Sequence, residues 1–258
     1  MKFPSGLFLC CVFLAFHIPR RADAQVAPEP TPFANVVQGY HYVWGDEFDG
    51  NALDLAKWQY RTDSKLWSTQ LPANVSVAGG HLQIALKKED AGGKHYTGGG
   101  IISRQRFEYG YYEASFRVPP GGGWHTSFWT MAYAGNGGTK PGNTQEIDIC
   151  EQDSVKHTNF SAGIIAWGNS RRGIARKYTH TPNLGEGFHV WGCEFTPQSV
   201  KFYFDGQLTH QANAAQFKQG PQNIWLTCIA AAFGGTGRVD DSKLPAVAEF
   251  DYVRFYAK

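Results

Sequence analysis

Cysteine is scarce in this chain of 258 residues. Five are present, and two of them, Cys10 and Cys11, lie in the first apolar stretch. The other three, Cys150, Cys193 and Cys228, cannot all pair within one chain and are too few for a disulfide-built scaffold. A single bridge between Cys193 and Cys228 stays open, but buried free thiols are the preferred expectation.

Strong charge and long apolar runs are also missing. The formal net charge is only +2 at pH 7, without any run of like charges, which argues against nucleic acid or an anionic membrane surface as a partner.

The apolar run Leu7 to Phe16 is about half of the ~20 residues that a membrane-spanning helix needs. It follows Lys2 and precedes Ala22-Asp23-Ala24, as in an export signal. We therefore predict a signal peptide over residues 1–24 and a secreted protein, either extracellular or periplasmic.

Proline spacing indicates where the folded part begins. Prolines alternate with other residues from Ala27 to Pro32, and this pattern favours an extended linker. Residues 25–32 are therefore predicted as a linker and residues 33–258 as a single folded domain. The roughly 230 residues that follow the signal peptide suit one large domain and leave little room for a second.

No long stretch of the sequence has helical periodicity. The apolar residues recur at every second position instead. This pattern is clear from His81 to Lys87, from Tyr111 to Val118, and just before the turn pair Asp205-Gly206. The apolar residues on the buried faces of these strands are Leu82, Ile84, Leu86, Tyr112, Ala114, Phe116, Val118, Val200, Phe202 and Phe204. Short strands separated by Gly, Pro, Asn and Asp predict an all-β sandwich of two antiparallel sheets, of the jelly-roll kind.

Three acids fall within six residues: Glu146, Asp148 and Glu151. Period two puts Glu146 and Asp148 on one face of a strand and leaves Glu151 with the wrong parity. A β-bulge around Ile149-Cys150 would restore the parity, and bulges are frequent beside active sites because they redirect side chains. We therefore predict that all three carboxylates point into one cleft.

Crowded carboxylates repel one another, which is costly unless they share a proton or bind a metal. An acid-rich strand is also typical of a solvated face or of a calcium site. Retaining glycosidases use a similar arrangement, with an ionised nucleophile and a protonated acid about 5–5.5 Å apart. In that interpretation Asp148 lies between the pair and holds the proton network.

The motif and its surroundings resemble glycoside hydrolase family 16, whose signature is Glu, an aliphatic residue, Asp, one or two further residues, then Glu. The run Glu146-Ile147-Asp148-Ile149-Cys150-Glu151 matches the longer, bulged form. The resemblance covers most of the chain after the signal peptide. The other matching segments are Val43 to Gly50, Asn74 to Ser76, Tyr109 to Ala114, Ser127 to Trp129, Phe188 to Trp191, Phe202 to Gly206 and Asp251 to Tyr256.

This resemblance implies a curved, concanavalin-like jelly roll with an open cleft, and retaining endo-hydrolysis of a β-1,3-glucan or a galactan. Glu146 would be the nucleophile, Glu151 the general acid/base and Asp148 their helper. No cofactor is required, although some members hold a structural calcium ion near the position of Asp251. A monomer is expected, with a polysaccharide as substrate and no nucleic acid or membrane partner.

An alternative with the same fold is a non-catalytic glycan-binding protein, either a lectin or a glucan-recognition protein. Such a protein has no need to keep three mutually repelling acids, which favours the enzyme. The chain also departs from the β-1,3-glucanase branch. Trp124 to Ser127 stand before Phe128-Trp129, where that branch usually has Trp-Pro-Ala, and Phe160 to Trp167 lack the histidines that tend to follow the acid motif. The identity of the polysaccharide is therefore left open.

Aromatic residues make up 15% of the chain and include eight tryptophans. Sugar rings present apolar C–H faces on which flat aromatic side chains stack. Trp124, expected at a loop edge after three glycines, is a candidate substrate-binding residue together with Trp129 and Trp167, which are expected on strands. The tryptophans interpreted as core or left undecided are Trp58, Trp191 and Trp225.

Four polar residues are weaker candidates. His125 and Arg104 are possible hydrogen-bond donors to substrate, although each is more often an ordinary surface residue. Asn74-Val75-Ser76 and Asn159-Phe160-Ser161 fit the N-glycosylation pattern, which also arises often by chance. Whether Asn74 or Asn159 carries a glycan stays open at this point.

Overall fold

The computed structural model describes Met1 and residues 38–135, 138–139, 144–167, 172–215, 220–231 and 238–258. Internal contacts divide the chain into two units, Met1–Pro30 and Thr31–Lys258. Apart from Met1, the predicted signal peptide and linker lie outside the described residues, so their boundaries stay predictions. Within the described ranges, no helix is long and apolar enough to cross a membrane.

Nearly all regular structure in the described residues is β-strand. The strands before residue 132 are β1 (His41–Asp46), β2 (Trp58–Tyr60), β3 (Ser64–Lys65), β4 (Ser68–Gln70), β5 (Val75–Ala78), β6 (His81–Leu86), β7 (Tyr96–Phe107), β8 (Gly110–Arg117) and β9 (Trp124–Met131). The later strands are β10 (Tyr133–Gly135), β11 (Gly138–Thr139), β12 (Thr144–Asp153), β13 (Asn159–Trp167), β14 (Arg172–His180), β15 (His189–Phe195), β16 (Ser199–Phe204), β17 (Gln207–Asn213), β18 (Gln222–Ala230) and β19 (Ala246–Ala257). Helical structure in these ranges consists of two 3-10 turns, Pro72–Asn74 and Asp241–Lys243.

The strands form two large sheets. One has eight strands in the order β17-β16-β15-β8-β19-β6-β5, with β1 also paired to β19. The other has nine strands in the order β14-β13-β12-β9-β18-β7-β4-β3, with β2 also paired to β7, and β10 and β11 form a small separate hairpin. The predicted all-β jelly-roll sandwich is confirmed. One pair, β4 and β7, is parallel, because the chain crosses to the other sheet through β5 and β6 before returning.

Apolar and polar residues alternate along the strands, and the apolar ones form the core between the sheets. The predicted strand around residues 81–87 is β6, whose Leu82, Ile84 and Leu86 are buried in the main apolar cluster. The predicted hairpin is also present: Asp205 and Gly206 connect β16 to β17 with φ values of 45° and 77°. Positive φ at both central residues is what a tight type I′ hairpin turn requires.

The three cysteines of the folded part are buried and unpaired. Cys150 lies on β12, Cys193 on β15 and Cys228 on β18, and none forms a disulfide. The expectation of buried free thiols is confirmed. Burial raises the pKa of each thiol, to about 12 for Cys228. These cysteines therefore stay protonated and contribute as small apolar groups.

The nine-stranded sheet has one face in the core and one face turned away from it, which we call the outer face. Phe128 of β9, Ile147 of β12 and Phe160 of β13 belong to the main core cluster. The outer face carries a second apolar cluster with Trp129 and Trp225 at its centre. Its remaining members are Ile102, Met131, Tyr133 and Trp167.

Candidate active site

Strand β12 places the three acids of the motif on the outer face. Its register with β9 shifts between Asp148 and Cys150, and its register with β13 shifts between Asp148 and Glu151. This bulge turns both Ile149 and Cys150 into the core, so that Glu151 returns to the same face as Glu146 and Asp148. The predicted bulge is therefore confirmed, and it brings the three carboxylates together.

Glu146 is half-buried and receives a hydrogen bond from the end of the neighbouring strand. The indole Nε1 of Trp167, the last residue of β13, donates to Oε2 of Glu146 at 2.6 Å. A short bond from an N–H group to a carboxylate fixes the orientation of the acid. Trp167, predicted as a sugar-stacking residue, thus also holds one of the acids.

Both oxygens of Glu151 have a nitrogen neighbour. Nη2 of Arg176, from β14, contacts Oε2 of Glu151 and lies 3.9 Å from Oδ2 of the buried Asp148. Nε2 of His125, from β9, lies 3.4 Å from Oε1 of Glu151. Glu151 is therefore held between an arginine on one side and a histidine on the other.

His125 lies buried beside Glu151, not on the surface. The pKa of His125 is lowered to about 4, mainly by burial; Asp153 raises it, and the charges of Arg176 and Arg61 contribute to lowering it. An ion pair with Glu151 would need the protonated ring, but the cost of burying that charge near two guanidinium groups outweighs it. His125 is therefore neutral near pH 7. Its predicted contact with a sugar hydroxyl stays a prediction.

Two tryptophans form a stacked pair on the outer face. The rings of Trp129 and Trp225 lie 4.5 Å apart at an angle of 25°, and Trp225 is fully buried while Trp129 keeps 8% of its surface exposed. Trp129 is the cross-strand neighbour of Asp148, so the pair adjoins the acids. Trp129 and Trp167 thus lie on the face predicted for them, and their binding of substrate stays a prediction.

The structure corrects the prediction for Trp124. This residue does not lie at a loop edge but is the first residue of β9, and it is fully buried between the sheets. Strand parity is the reason, because Trp124 shares the inner face of β9 with Phe128. Its ring cannot stack on a sugar. Trp58 and Trp191, which the sequence left as core or undecided, belong to the core.

Two residues near the site were not foreseen from the sequence. Arg176 is one, because nothing local in the sequence indicates which acid an arginine on an edge strand will reach. Trp67 is the other: it lies in the turn between β3 and β4, is 38% exposed, and its backbone N–H donates to the carbonyl of Ala230 at the end of β18. An aromatic residue in a short turn was the available signal for Trp67.

The weaker sequence candidates have other contacts. Nε of Arg104 donates to the carbonyl of Leu55 at 2.7 Å. Asn74 is buried, and its Nδ2 donates to Oγ1 of Thr97 and to the carbonyl of Gly98, at 2.8 and 3.0 Å. This nitrogen is the atom that would carry a glycan. In the folded protein it is already engaged in two buried hydrogen bonds that stabilise the fold.

Calcium at Asp251 stays a prediction. Oδ1 of Asp251 lies 3.8 Å from Nε2 of His81, which is not the oxygen ligand that calcium prefers. In the part of the chain that is described, no group of three His, Cys, Asp or Glu side chains is arranged to hold a metal ion.

A family model described as the GH16 domain of beta-porphyranases A–D matches residues 42–257. The chain therefore belongs to glycoside hydrolase family 16, and it is a glycoside hydrolase that acts on O-glycosyl bonds. It is 28% identical over 253 residues to a beta-glucanase of Rhodothermus marinus, covering 84% of this chain and 85% of that protein. It is also 28% identical over 222 residues to a beta-glucanase of Acetivibrio thermocellus, covering 81% of this chain and 60% of that longer protein.

Among solved structures, the laminarinase from Rhodothermus marinus superposes with a TM-score of 0.72 at 25% identity, over 84% of this chain and 97% of that one. The predicted family, fold and enzyme class are confirmed.

Proposed function

We propose that this protein is a secreted, monomeric, retaining endo-glycosidase that cleaves internal β-linked bonds of a polysaccharide. One observation carries the proposal: the bulge in β12 puts Glu146, Asp148 and Glu151 on the same outer face of the sheet, beside an aromatic pair. A purely binding protein gains nothing from three mutually repelling acids on one face of a strand. Relatives named as glucanases support the same class of reaction.

The roles of the acids follow from the proposed double displacement. The carboxylate of Glu146 attacks the anomeric carbon and forms a glycosyl-enzyme ester, while Glu151 gives its proton to the departing glycosidic oxygen. Glu151 then takes a proton from water, whose oxygen attacks the same carbon and releases Glu146. Trp167 keeps one oxygen of Glu146 engaged, so that the other is free to attack. The buried Asp148 lies between them in the motif. Its role is to keep one carboxyl group of the pair ionised while the other is protonated.

Aromatic side chains provide surfaces for the sugar rings. Trp129 and Trp167 adjoin the acids on the outer face, and Trp67 is a further, partly exposed ring in the turn between β3 and β4. Stacking of sugar C–H faces on such rings, with polar groups fixing orientation, is the usual mode of glycan binding. We assign these three tryptophans to subsites for the polymer.

A cavity of about 200 Å³ lies beyond the acid end of β12. It is lined by Asp153, Val155, Lys156, Asn159 and Tyr178, and Tyr178 is 57% exposed. Because β12 continues from Glu151 to Asp153, the cavity lies next to the residue that protonates the leaving group. We assign it to the leaving part of the polymer. A glycan on Asn159 would fill this cavity, so we propose that Asn159 is unmodified in the active enzyme.

The substrate that we favour is a galactan, because the family model that covers residues 42–257 is that of beta-porphyranases. A β-1,3-glucan is the second candidate, and the identity with beta-glucanases supports it. The deciding experiment measures reducing-end release from porphyran, agarose, carrageenan, laminarin and lichenan, for the wild type and for Glu146→Gln in parallel.

Activity on one polymer that is lost in Glu146→Gln would establish the reaction and the substrate together. Retention of the product's anomeric configuration, followed by proton NMR, tests the double displacement, and inversion would refute it. If no polymer is cut but one is bound tightly by both proteins, the glycan-binding alternative is correct.

A further inference from the structure

Strand β14 departs from regular strand geometry beside the acid motif. Its register with β13 shifts between Ala162 and Ile164, so that Gly163 faces an extra residue on β14. In this bulge Ala175 has a φ of 52°, in the left-handed region that residues other than glycine rarely adopt. Such an outlier persists only where the surrounding structure enforces it, and it is a reason to look for function nearby. The next residue is Arg176.

Gly163 makes room for Arg176. A Cβ built on Gly163 would lie 2.8 Å from Cα and 3.1 Å from Cβ of Arg176, closer than the backbone of β14 can tolerate. On its other side Gly163 is the cross-strand neighbour of Asp148. Because adjacent strands lie about 4.8 Å apart, an arginine on β14 must extend over β13 to reach β12. The missing side chain at position 163 opens that path.

Glu151 is surrounded by groups of both charges. The titratable residues around it are Glu146, Asp148 and Asp153 on β12, His125 on β9, Arg176 and Tyr178 on β14, and Arg61 in the segment after β2. Strand β13 places Ser161 opposite Glu151 and Gly163 opposite Asp148.

Of the basic groups in this set, Arg176 is the one whose charge acts directly on Glu151. His125 adds no positive charge near neutral pH, because burial lowers its pKa to about 4. Arg61 pairs with Asp63 at 2.6 Å. Glu146 and Asp148 repel the negative charge of Glu151. The positive charge that contacts Glu151 and offsets this repulsion therefore comes from Arg176.

We propose that Arg176 is a positioning residue for the general acid/base: it holds Glu151 and sets the upper pH limit of activity. The inference rests on the proposed role of Glu151 as proton donor. A guanidinium in contact with a carboxyl group favours its charged form. It therefore lowers the pH above which Glu151 has lost the proton needed by the leaving group. The segment Phe160–Trp167 of β13 carries no histidine that could contact the acids. The positive charge beside Glu151 comes from Arg176 on the neighbouring strand β14.

The test is the pH dependence of kcat/KM, whose limbs report the ionisations of the free enzyme. In Arg176→Gln we expect the alkaline limb to move upward by about one pH unit or more. Arg176→Lys keeps the charge, so its limb should stay closer to the wild type. Lys177→Gln is the matched control, because it removes a charge from the adjacent residue of β14, which pairs with Ala162 and not with the residues of the acid face. Its profile should not change.

Gly163→Ala tests the same inference without changing any charge. The added methyl group should displace Arg176, so we expect an upward shift of the alkaline limb as in Arg176→Gln. Thermal unfolding shows whether each variant is folded, and if Arg176→Gln does not fold, Gly163→Ala and Arg176→Lys decide. A second measurement uses aryl glycosides with leaving groups that need no proton. On these, Arg176→Gln should react nearly as fast as the wild type.

Two results would overturn the inference: an alkaline limb that stays in place while kcat/KM falls equally at every pH, or an equal loss on aryl glycosides and polymer. Failure of the proposed function looks different. It would appear as a wild type without hydrolysis, or as a Glu151→Ala variant that azide does not rescue on the aryl glycosides. An active, azide-rescued enzyme with an unmoved limb would reject the role of Arg176 alone.

Discussion

Replacing His125 by glutamine should make the protein less sensitive to acid. Glutamine is polar and similar in size, and it cannot take up a proton. In the wild type the buried ring must either stay neutral as the pH falls or be protonated at a high cost in free energy. The unfolded chain protonates the same ring freely. Acid therefore favours the unfolded state of the wild type through His125, and the variant lacks this contribution.

The size of the effect follows from two pKa values. A histidine in the unfolded chain titrates near 6.5, whereas burial lowers the pKa of folded His125 to about 4. Between these values the unfolded state binds the extra proton, so the free energy of unfolding falls as the pH drops. Each pH unit in this window corresponds to about 1.4 kcal/mol. Lowering the pH from 7 to 4.5 should therefore remove about 2 kcal/mol through this residue.

Urea unfolding at pH 7, 6, 5 and 4.5, followed by tryptophan fluorescence, measures the effect. The wild type and His125→Gln share every other titrating group, so the change in their difference with pH isolates the ring. We expect the variant to gain about 2 kcal/mol relative to the wild type between pH 7 and 4.5. Parallel curves would refute the reasoning. A wild type that instead gains relative stability in acid would show a protonated His125 paired with Glu151.

Three other changes give separate predictions. Trp167→Phe keeps an aromatic ring but removes the donor to Glu146, so kcat should fall about 10- to 100-fold without a change in melting temperature; unaltered steady-state kinetics would contradict this. Trp124→Ala should lower the free energy of unfolding by about 3–5 kcal/mol in urea, and a loss below about 1 kcal/mol would show that the ring is not in the core. After expression in a glycosylating host, mass spectrometry should find Asn74 unmodified, and a glycan there would mean that its buried hydrogen bonds do not persist.

The parts of the fold that local pattern determines could be predicted from the sequence. Leu82, Ile84 and Leu86 lie at period two, and each is buried in the structure. The bulge in β12 was also predictable, because three acids that serve one reaction must share a face, and Glu151 had the wrong parity without it. In both cases the information lies within a few neighbouring residues.

The register between strands that are far apart in the sequence cannot be predicted from a local pattern. Arg176 reaches Glu151 only because β14 is paired to β13 with a bulge opposite Gly163, and β13 is paired to β12. A slip of one residue in either pairing would turn the arginine to the other face. The burial of His125 has the same origin, since its environment is supplied by Glu151 and Arg61, which are distant in the sequence.

Trp124 and Trp129 show how one strand can contribute to both the core and the proposed binding surface. They are five residues apart on β9, so the alternation of side chains puts them on opposite faces. The inner ring is fully buried against Phe128 and its neighbours, where it contributes to the core. The outer ring stacks on Trp225 and lies beside Asp148, at the edge of the acid cluster. A ring that is already fixed by stacking loses little conformational entropy when a sugar binds, which favours Trp129 over a mobile surface aromatic as a subsite.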